Sequence, residues 1–293
     1  MKILLFGKYG QLGWELHRTL QGLGEVAAYD YPEVDFAAPQ SLPRIIKESR
    51  PDIVINAAAY TDVDKAESEQ EKARLINAEA PGVLAEASRS VGAVFVHYST
   101  DYVFDGNKGS PYVESDAPNP LNNYGRTKLE GEKAVLQAGG AGLILRTAWV
   151  YSLRGDSFVT KVLRWARTQN EIRVVDDQVS NPTWARHLAE VTTLVLASRV
   201  QEGSGPLSEL AGIYHLAGWG MASRFEWARS VIGLSDGASC PRRPVIMRAK
   251  TGEFPTPATR PSRSALDCNK FLMVFGKRLP DWEESLREAL DNG

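Results

Sequence analysis

The sequence contains few of the residues that mark secreted, metal-binding or membrane proteins. Its 293 residues include only two cysteines, Cys240 and Cys268, without close metal-ligand spacing. This excludes a disulfide framework and is consistent with a reducing compartment. No run of about 18 consecutive apolar residues occurs, which excludes a membrane-spanning helix on length. A long basic run is also missing and the net charge is -2, so the sequence does not predict the basic surface that nucleic-acid binding requires.

The N-terminus lacks the pattern of a secretion signal. Met1 and Lys2 run directly into an apolar stretch and then into a glycine loop, which predicts a strand of the fold. We therefore expect a cytoplasmic protein whose partner is a small molecule or another protein. Acidic residues are scattered without a convincing metal cluster, so no catalytic metal is expected, and the oligomeric state stays open, with a homodimer as one possibility.

The first half of the chain alternates strand-like apolar runs with helical segments. Such alternation predicts an α/β fold with a doubly wound parallel sheet covered on both faces. The predicted strands are residues 2–6, 26–29, 53–56, 94–98 and 143–146, and the predicted helices are residues 11–21, 39–49, 71–91 and 124–137.

The alternation loosens after about residue 150. We predict helices at 157–168, 183–198, 222–232 and 280–291, and strands at 172–175 and 213–217. The stretch at residues 241–263 is rich in proline and arginine and is predicted to be extended, basic and rich in loops. A domain boundary near residue 150 gives domains 1–150 and 151–293, the second smaller and mixed α/β, although its later strands could return to the first sheet.

A glycine-rich loop at residues 7–13 follows the first predicted strand and opens the first predicted helix. Glycine permits a tight turn and a close backbone approach, and the N-terminus of a helix offers N–H groups to a pyrophosphate. The loop therefore predicts a dinucleotide bound by Gly7, Gly10, Gln11, Leu12 and Gly13. The alternative is an ordinary turn that needs glycine only for packing.

Asp30 ends the second predicted strand, 17 residues after Gly13, where a carboxylate can accept hydrogen bonds from the adenosine ribose. This position favours NADH slightly over NADPH, because Asp30 would repel a 2′-phosphate unless Lys8 compensated. Asp35 and Phe36 would fit beside the adenine, and a simple connecting loop is nearly as plausible.

Small residues follow the third predicted strand. The segment from Asn56 to Thr61 contains three alanines, and ligands of parallel sheets bind at this edge. Ala59, Tyr60 and Thr61 are therefore predicted to contact the cofactor, unless the alanines only pack a helix against the sheet.

Tyr124 and Lys128 carry a phenol and an amine four residues apart, on one face of a predicted helix. An ammonium near a phenol favours the phenolate and lowers the tyrosine pKa from about 10, so that the group can protonate a carbonyl that receives hydride. Thr100 adds a hydroxyl 24 residues earlier. In isolation the Tyr-x-x-x-Lys pattern is more often a solvated lysine that covers a ring.

Together these motifs resemble the extended short-chain dehydrogenase/reductase family over essentially the whole chain, and within it the reductases of 4-keto sugar nucleotides. The segments that carry the resemblance are residues 7–13, 56–59, 63–67, 97–106, 120–128, 146–151 and 254–261. The resemblance implies a Rossmann-type domain at 1–150 and a mainly substrate-binding domain at 151–293. It also implies that NADH or NADPH reduces the C4 keto group of a dTDP-linked 4-keto-6-deoxy sugar, in polysaccharide biosynthesis.

The resemblance also implies individual roles. Tyr124 would donate its proton to the C4 oxygen, Lys128 would lower the Tyr124 pKa and bind the nicotinamide ribose, and Thr100 would polarise the carbonyl. Asp101 would line the substrate pocket and Trp149 would pack on the sugar ring. Arg260 would bind the pyrophosphate bidentately.

Alternatives remain for several of these residues. Trp149 could be a core residue and Arg260 an exposed loop arginine, whereas His97 is predicted to be a hydrogen-bonded core residue. A 4,6-dehydratase is disfavoured, because Asp101 is followed by Tyr102 and not by a second carboxylate. A 4-epimerase stays open. A regulatory protein resembling the methionine adenosyltransferase regulatory subunit is a further alternative, but Thr100, Tyr124 and Lys128 argue against it, because a binding role does not require proton-transfer residues.

Overall fold

The computed structural model of the chain describes residues 1–201, 209, 211–236, 240 and 242–292. The strands are β1 (Lys2–Phe6), β2 (Glu25–Tyr29), β3 (Ile53–Asn56), β4 (Val94–Thr100), β5 (Gly142–Thr147), β6 (Val150–Tyr151), β7 (Glu171–Val175), β8 (Val179–Ser180), β9 (Thr183–Trp184), β10 (Gly212–His215), β11 (Ala222–Ser223) and β12 (Val245–Ala249). The α-helices are α1 (Gln11–Leu20), α2 (Leu42–Ser49), α3 (Gln70–Arg74), α4 (Ala80–Val91), α5 (Asn123–Ala138), α6 (Phe158–Thr168), α7 (Ala185–Gln201), α8 (Arg224–Leu234), α9 (Asn269–Phe275) and α10 (Trp282–Asn292).

Six parallel strands form the central sheet in the order β10-β5-β4-β3-β1-β2. The inner strands are buried along nearly their whole length, because both faces of the sheet are covered. Helices α1, α7 and α9 contribute to the core on one face, and α2, α4 and α5 to the core on the other. The predicted doubly wound sheet of the Rossmann type is confirmed.

The register of the sheet brings the chemically interesting residues to one edge. Phe6 lies opposite Tyr29, Asn56 opposite His97, and Thr100 opposite Thr147. Since these strands are parallel, the loops that leave their carboxyl ends converge above the same edge. The residues of the glycine loop and those around Thr100 are therefore neighbours in space.

One long predicted helix, residues 71–91, is instead divided. Helices α3 and α4 are separated by a π-helical turn at Leu75–Glu79. Pro81 has no N–H to donate back to the carbonyl of Asn77, and the Asn77 side chain bonds both the N–H and the carbonyl of Tyr60 at 2.8 and 3.0 Å. The periodicity of the segment does not reveal this widened turn.

The second half of the chain builds its own core and also completes the first sheet. Strand β10 pairs with β5, and α7 packs against α1. The remaining short strands pair as β7 with β12, β6 with β9, and β8 with β11. Tyr151, Trp184 and Trp227 lie in the core that these elements cover. The stretch at residues 241–263, predicted to be extended and rich in loops, contains β12 within its described part.

Within the described ranges, no helix combines the length and the apolar character needed to span a bilayer.

Candidate active site

A cleft of about 1050 Å³ opens along the carboxyl edge of the central sheet. Most residues predicted for a site line it: Gly7, Gly10, Gln11, Leu12, Asp30, Asp35, Phe36, Ala59, Thr61, Thr100, Asp101, Tyr124, Lys128 and Trp149. Gly13 and Tyr60 do not line it, and Arg260 lines a second cavity beside it. The fold thus gathers residues that are scattered through the first half of the sequence.

The glycine loop is shaped by two close backbone approaches. Gly7 has a φ of +88°, and a Cβ there would lie 2.6 Å from the Ala58 nitrogen. A Cβ on Gly13 would lie 1.8 Å from the Gly7 carbonyl oxygen, so Gly13 is required for packing under the turn. Gly10 precedes α1 without a side-chain cap, which leaves the first N–H groups of the helix available to an anion.

Asp30 fixes the turn at the outer end of the cleft. Its two carboxylate oxygens accept hydrogen bonds from the N–H groups of Tyr9 and Tyr31, each at 2.8 Å. Lys8, the cation that could offset a 2′-phosphate, forms an ion pair of 2.7 Å with Glu33. The charged groups of Asp30 and Lys8 therefore already have hydrogen-bond or ion-pair partners within the protein.

Tyr60 supports the cleft without lining it. Its backbone is held by Asn77, and the Lys72 ammonium lies 5.8 Å from the centre of its ring. Nearby, Asn56 Oδ1 accepts from the Ala58 N–H at 3.1 Å. These contacts set the path of the alanine segment along the cleft.

Three buried polar atoms of the cleft residues have no hydrogen-bond partner within the part of the chain that the structure describes: Gln11 Oε1, Ser99 Oγ and Thr147 Oγ1. Leaving such a group unsatisfied costs about 1–3 kcal/mol, so a ligand with polar groups is a suitable partner. Sequence reasoning missed Ser99 and Thr147, although both stand at the carboxyl ends of predicted strands. The donors of the glycine loop and these free acceptors fit a dinucleotide.

Helix α5 presents Tyr124 to the cleft through specific contacts at its start. Asn122 caps the helix by accepting from the Gly125 N–H at 2.8 Å. A Cβ on Gly125 would lie 2.2 Å from the Tyr102 carbonyl oxygen, so glycine lets α5 approach the turn that follows Thr100. The Tyr102 and Tyr124 rings meet edge to face at 5.8 Å. This packing holds the phenol beside Thr100.

The expected lowering of the Tyr124 pKa is wrong for this structure. Burial raises the Tyr124 pKa above its ordinary value of 10, the nearby Asp101 charge adds to the rise, and only the interaction with the Thr100 hydroxyl opposes it. Desolvation disfavours the phenolate. Tyr124 is therefore protonated at neutral pH, as a proton donor must be.

Lys128 is held from strand β4. Its Nζ donates to the Tyr98 carbonyl oxygen at 2.6 Å and lies 3.4 Å from His97 Nε2. Burial lowers the Lys128 pKa to about 8, and the Glu132 charge opposes this shift. His97 is buried as predicted, and burial together with the Lys128 charge lowers its pKa well below 6.5. The imidazole is therefore neutral.

Asp101 is a buried carboxyl beneath Thr100. It accepts hydrogen bonds from Ser180 at 2.9 Å and from Ser264 at 2.5 Å, and Thr100 Oγ1 lies 3.2 Å from its other oxygen. Burial raises the Asp101 pKa to about 6, although these hydroxyl groups lower it in part. Sequence reasoning missed both serines, for which no local signal exists.

Trp149 separates the cleft from a second cavity of about 820 Å³. Its backbone is left-handed with a φ of 41°, an unusual conformation for a bulky residue. The ring stacks on Trp227 with centroids 5.6 Å apart. Arg260 lines the second cavity and forms an ion pair of 2.7 Å with Asp64. The wall between the cavities is thus aromatic, with an arginine beyond it.

Known proteins resemble the chain over its full length. The family described as the RmlD substrate binding domain matches residues 1–293. A dTDP-4-dehydrorhamnose reductase of Burkholderia thailandensis is 44% identical over 286 residues, which cover 96% of this chain and 95% of that protein. A dTDP-4-dehydrorhamnose reductase structure from Clostridium acetobutylicum is 37% identical, with a TM-score of 0.90 and 99% of each chain covered. The dTDP-4-dehydrorhamnose reductase structure from Bacillus anthracis, in complex with NADP, is 32% identical, with a TM-score of 0.88. The match covers 100% of this chain and 99% of that chain.

Proposed function

The chain belongs to the family of the RmlD substrate binding domain, and from this membership we propose that it is an NAD(P)H-dependent oxidoreductase. Its reaction is the reduction of the C4 keto group of dTDP-6-deoxy-L-lyxo-4-hexulose (dTDP-4-dehydro-L-rhamnose) to dTDP-L-rhamnose, for cell-surface polysaccharide biosynthesis. One observation carries the proposal: Thr100, Tyr124 and Lys128 line the same cleft as the glycine loop. The 44% identity to a reductase of that name supports the choice of substrate.

The cofactor would lie along the carboxyl edge of the sheet. Gly7, Gly10, Gln11 and Leu12 would face its pyrophosphate, with Gly13 supporting the turn. Asp30 would face the adenosine ribose. Asp35, Phe36, Ala59 and Thr61 would line the remainder, Tyr60 would support it from behind, and Lys128 would reach the nicotinamide ribose. When bound, NADH or NADPH supplies the hydride that C4 accepts.

Tyr124 is the proton donor in this proposal. It gives its phenolic proton to the C4 oxygen as C4 becomes tetrahedral, and it regains a proton from solvent afterwards. Thr100 lies beside Tyr124 and would hydrogen-bond the same oxygen. A phenol with a raised pKa is a weak acid, so the ammonium of Lys128 and the developing charge of the cofactor must stabilise the phenolate. General acid catalysis of this kind contributes about 10²–10⁴-fold.

The sugar would lie between Tyr124 and the second half of the chain. Asp101 and Trp149 line the cleft beside Tyr124, and Arg260 faces the second cavity. In this arrangement residues 1–150 carry the cofactor and residues 151–293 mainly the substrate, with β10 completing the first sheet. A cytoplasmic location and a homodimer remain predictions of the sequence.

The test is a coupled assay with the dTDP-4-keto-6-deoxy sugar, its epimerase, and NADH or NADPH supplied in turn. We expect stoichiometric oxidation of the cofactor and dTDP-L-rhamnose as the product. Turnover without net cofactor consumption would instead show an epimerase. Copurification with a larger synthetase and no activity on any 4-keto sugar nucleotide would indicate a regulatory subunit.

A further inference from the structure

Arg224 lies where the two cavities meet. It is the first residue of α8, and its guanidinium carbon lies 3.6 Å from the centre of the Trp149 ring. Trp149 lines both cavities, whereas Arg224 lines the second. The guanidinium also lies 4.8 Å from the Phe158 ring and 5.3 Å from the Trp227 ring. A half-buried cation thus stands on an aromatic wall, beside the cleft that holds Tyr124.

Arg224 interacts electrostatically with the buried Asp101 carboxylate, but it does not share the direct ion pairing of the cations around it. The other cations lining the second cavity are ion-paired: Lys161 with Asp156, Arg173 with Glu253, and Arg260 with Asp64. Among residues with described positions, none forms an ion pair with Arg224. Its guanidinium interacts with the Tyr102 phenol, as does that of Arg260. Burial lowers the Arg224 pKa to about 10, so the group is still charged at neutral pH.

We propose that Arg224 binds the diphosphate of the sugar nucleotide, an inference that rests on the proposed function. A sugar placed at Tyr124 and a nucleoside placed in the aromatic second cavity must be joined across the wall at Trp149. The linking group carries negative charge at that point, and a planar guanidinium binds phosphate oxygens bidentately. The positive charge of Arg260 is already offset by Asp64, so Arg224 would supply the positive charge that the diphosphate requires.

Stacking alone offers a competing explanation. An arginine can pack its planar group on aromatic rings simply to hold α8 against the wall. Arg248 is a matched control for that role, since its guanidinium lies 4.3 Å from the Phe225 ring while it pairs with Asp176 at 2.8 Å. Arg248 does not line either of the two cavities.

The experiment measures dTDP and NADPH binding by calorimetry for the wild type, Arg224→Met, Arg224→Lys and Arg248→Met. We expect Arg224→Met to weaken dTDP binding about 30-fold or more, because a partly desolvated charge pair is lost, with NADPH binding unchanged. Arg224→Lys should retain part of the dTDP affinity, and Arg248→Met all of it. Wild-type dTDP affinity in Arg224→Met would overturn the proposal. An equal loss of NADPH affinity, or a lysine variant no better than the methionine variant, would also overturn it.

Turnover separates this inference from the proposed function. Arg224→Met should raise the KM of the keto sugar nucleotide far more than it changes kcat. If the wild type consumes NADPH but Arg224→Met keeps its dTDP affinity, the inference fails and the function stands. If the wild type binds dTDP through Arg224 but does not reduce the 4-keto sugar, the function fails and the diphosphate site stands.

Discussion

The Nζ of Lys128 lies 3.4 Å from Nε2 of His97, in a buried pair that joins α5 to β4. Asn56 orients the imidazole from the other side. Its Oδ1 accepts from the Ala58 N–H, so its Nδ2 faces His97 Nδ1 at 3.2 Å. The Nδ1 atom is then an acceptor, and a neutral imidazole carries its proton on Nε2, toward Lys128. This arrangement disfavours the ammonium, as does burial, which lowers the Lys128 pKa to about 8.

Replacing His97 should therefore change the pH dependence of turnover. If the ammonium form of Lys128 is needed, kcat falls as pH rises through the Lys128 pKa. In His97→Asn the carboxamide oxygen can accept from Lys128, so we expect the Lys128 pKa to rise and the alkaline limb to move up by about one pH unit. The kcat–pH profile measures this shift. An alkaline limb at the wild-type position would show that His97 does not control the charge of Lys128.

Removing the phenolic hydroxyl of Tyr124 should affect chemistry and not cofactor binding. We expect Tyr124→Phe to lower kcat by about 10²–10⁴-fold, because the proton donor is lost, with NADPH affinity within about twofold. Steady-state kinetics and calorimetry measure the two effects. Tyr151→Phe is the control, since this buried tyrosine does not line the cleft and its hydroxyl has no partner among the described residues. Near-normal turnover by Tyr124→Phe would contradict the assignment.

The choice between NADH and NADPH should depend on Lys8. Its ammonium pairs with Glu33, whose carboxylate also accepts from the Asp30 N–H at 3.3 Å, so the charge lies near the Asp30 turn. Lys8→Ala should raise the KM for NADPH about fivefold, because an exposed charge that faces a 2′-phosphate would be lost, with the KM for NADH nearly unchanged. The exposed Lys47 on α2 provides the control, Lys47→Ala. Equal changes for both cofactors would argue against a 2′-phosphate contact.

Sequence patterns predicted which residues share the cleft, because most of these residues stand at or near the ends of strands. The glycine loop, Thr100 and Tyr124 each stand beside a predicted strand or on a predicted helix, and parallel pairing brings such ends together. The contacts of Asp101 were beyond sequence reasoning, since Ser180 and Ser264 lie 79 and 163 residues away and carry no motif. The direction of the Tyr124 pKa shift also required the structure, because the burial that raises this pKa depends on tertiary packing that the Tyr-x-x-x-Lys spacing does not show.

Glu132 connects the stability of the fold with the charge of Lys128. It forms a buried ion pair of 2.7 Å with Arg146 on β5, and its charge opposes the lowering of the Lys128 pKa. Glu132→Gln leaves Arg146 without its counter-charge and should reduce the free energy of unfolding by about 3 kcal/mol. Urea denaturation measures this loss, and the control is Glu48→Gln, which removes an exposed pair with Arg44 and should cost under about 0.5 kcal/mol.

Glu132→Gln should also shift the kcat–pH profile, in the direction opposite to the shift expected for His97→Asn. Glu132 raises the Lys128 pKa, so removing its charge should lower that pKa and move the alkaline limb of kcat below its wild-type position. A loss of stability alone would lower the yield of folded enzyme at every pH without moving the limb. Measuring kcat per folded molecule across pH therefore separates the two roles. An unmoved limb would restrict Glu132 to holding Arg146.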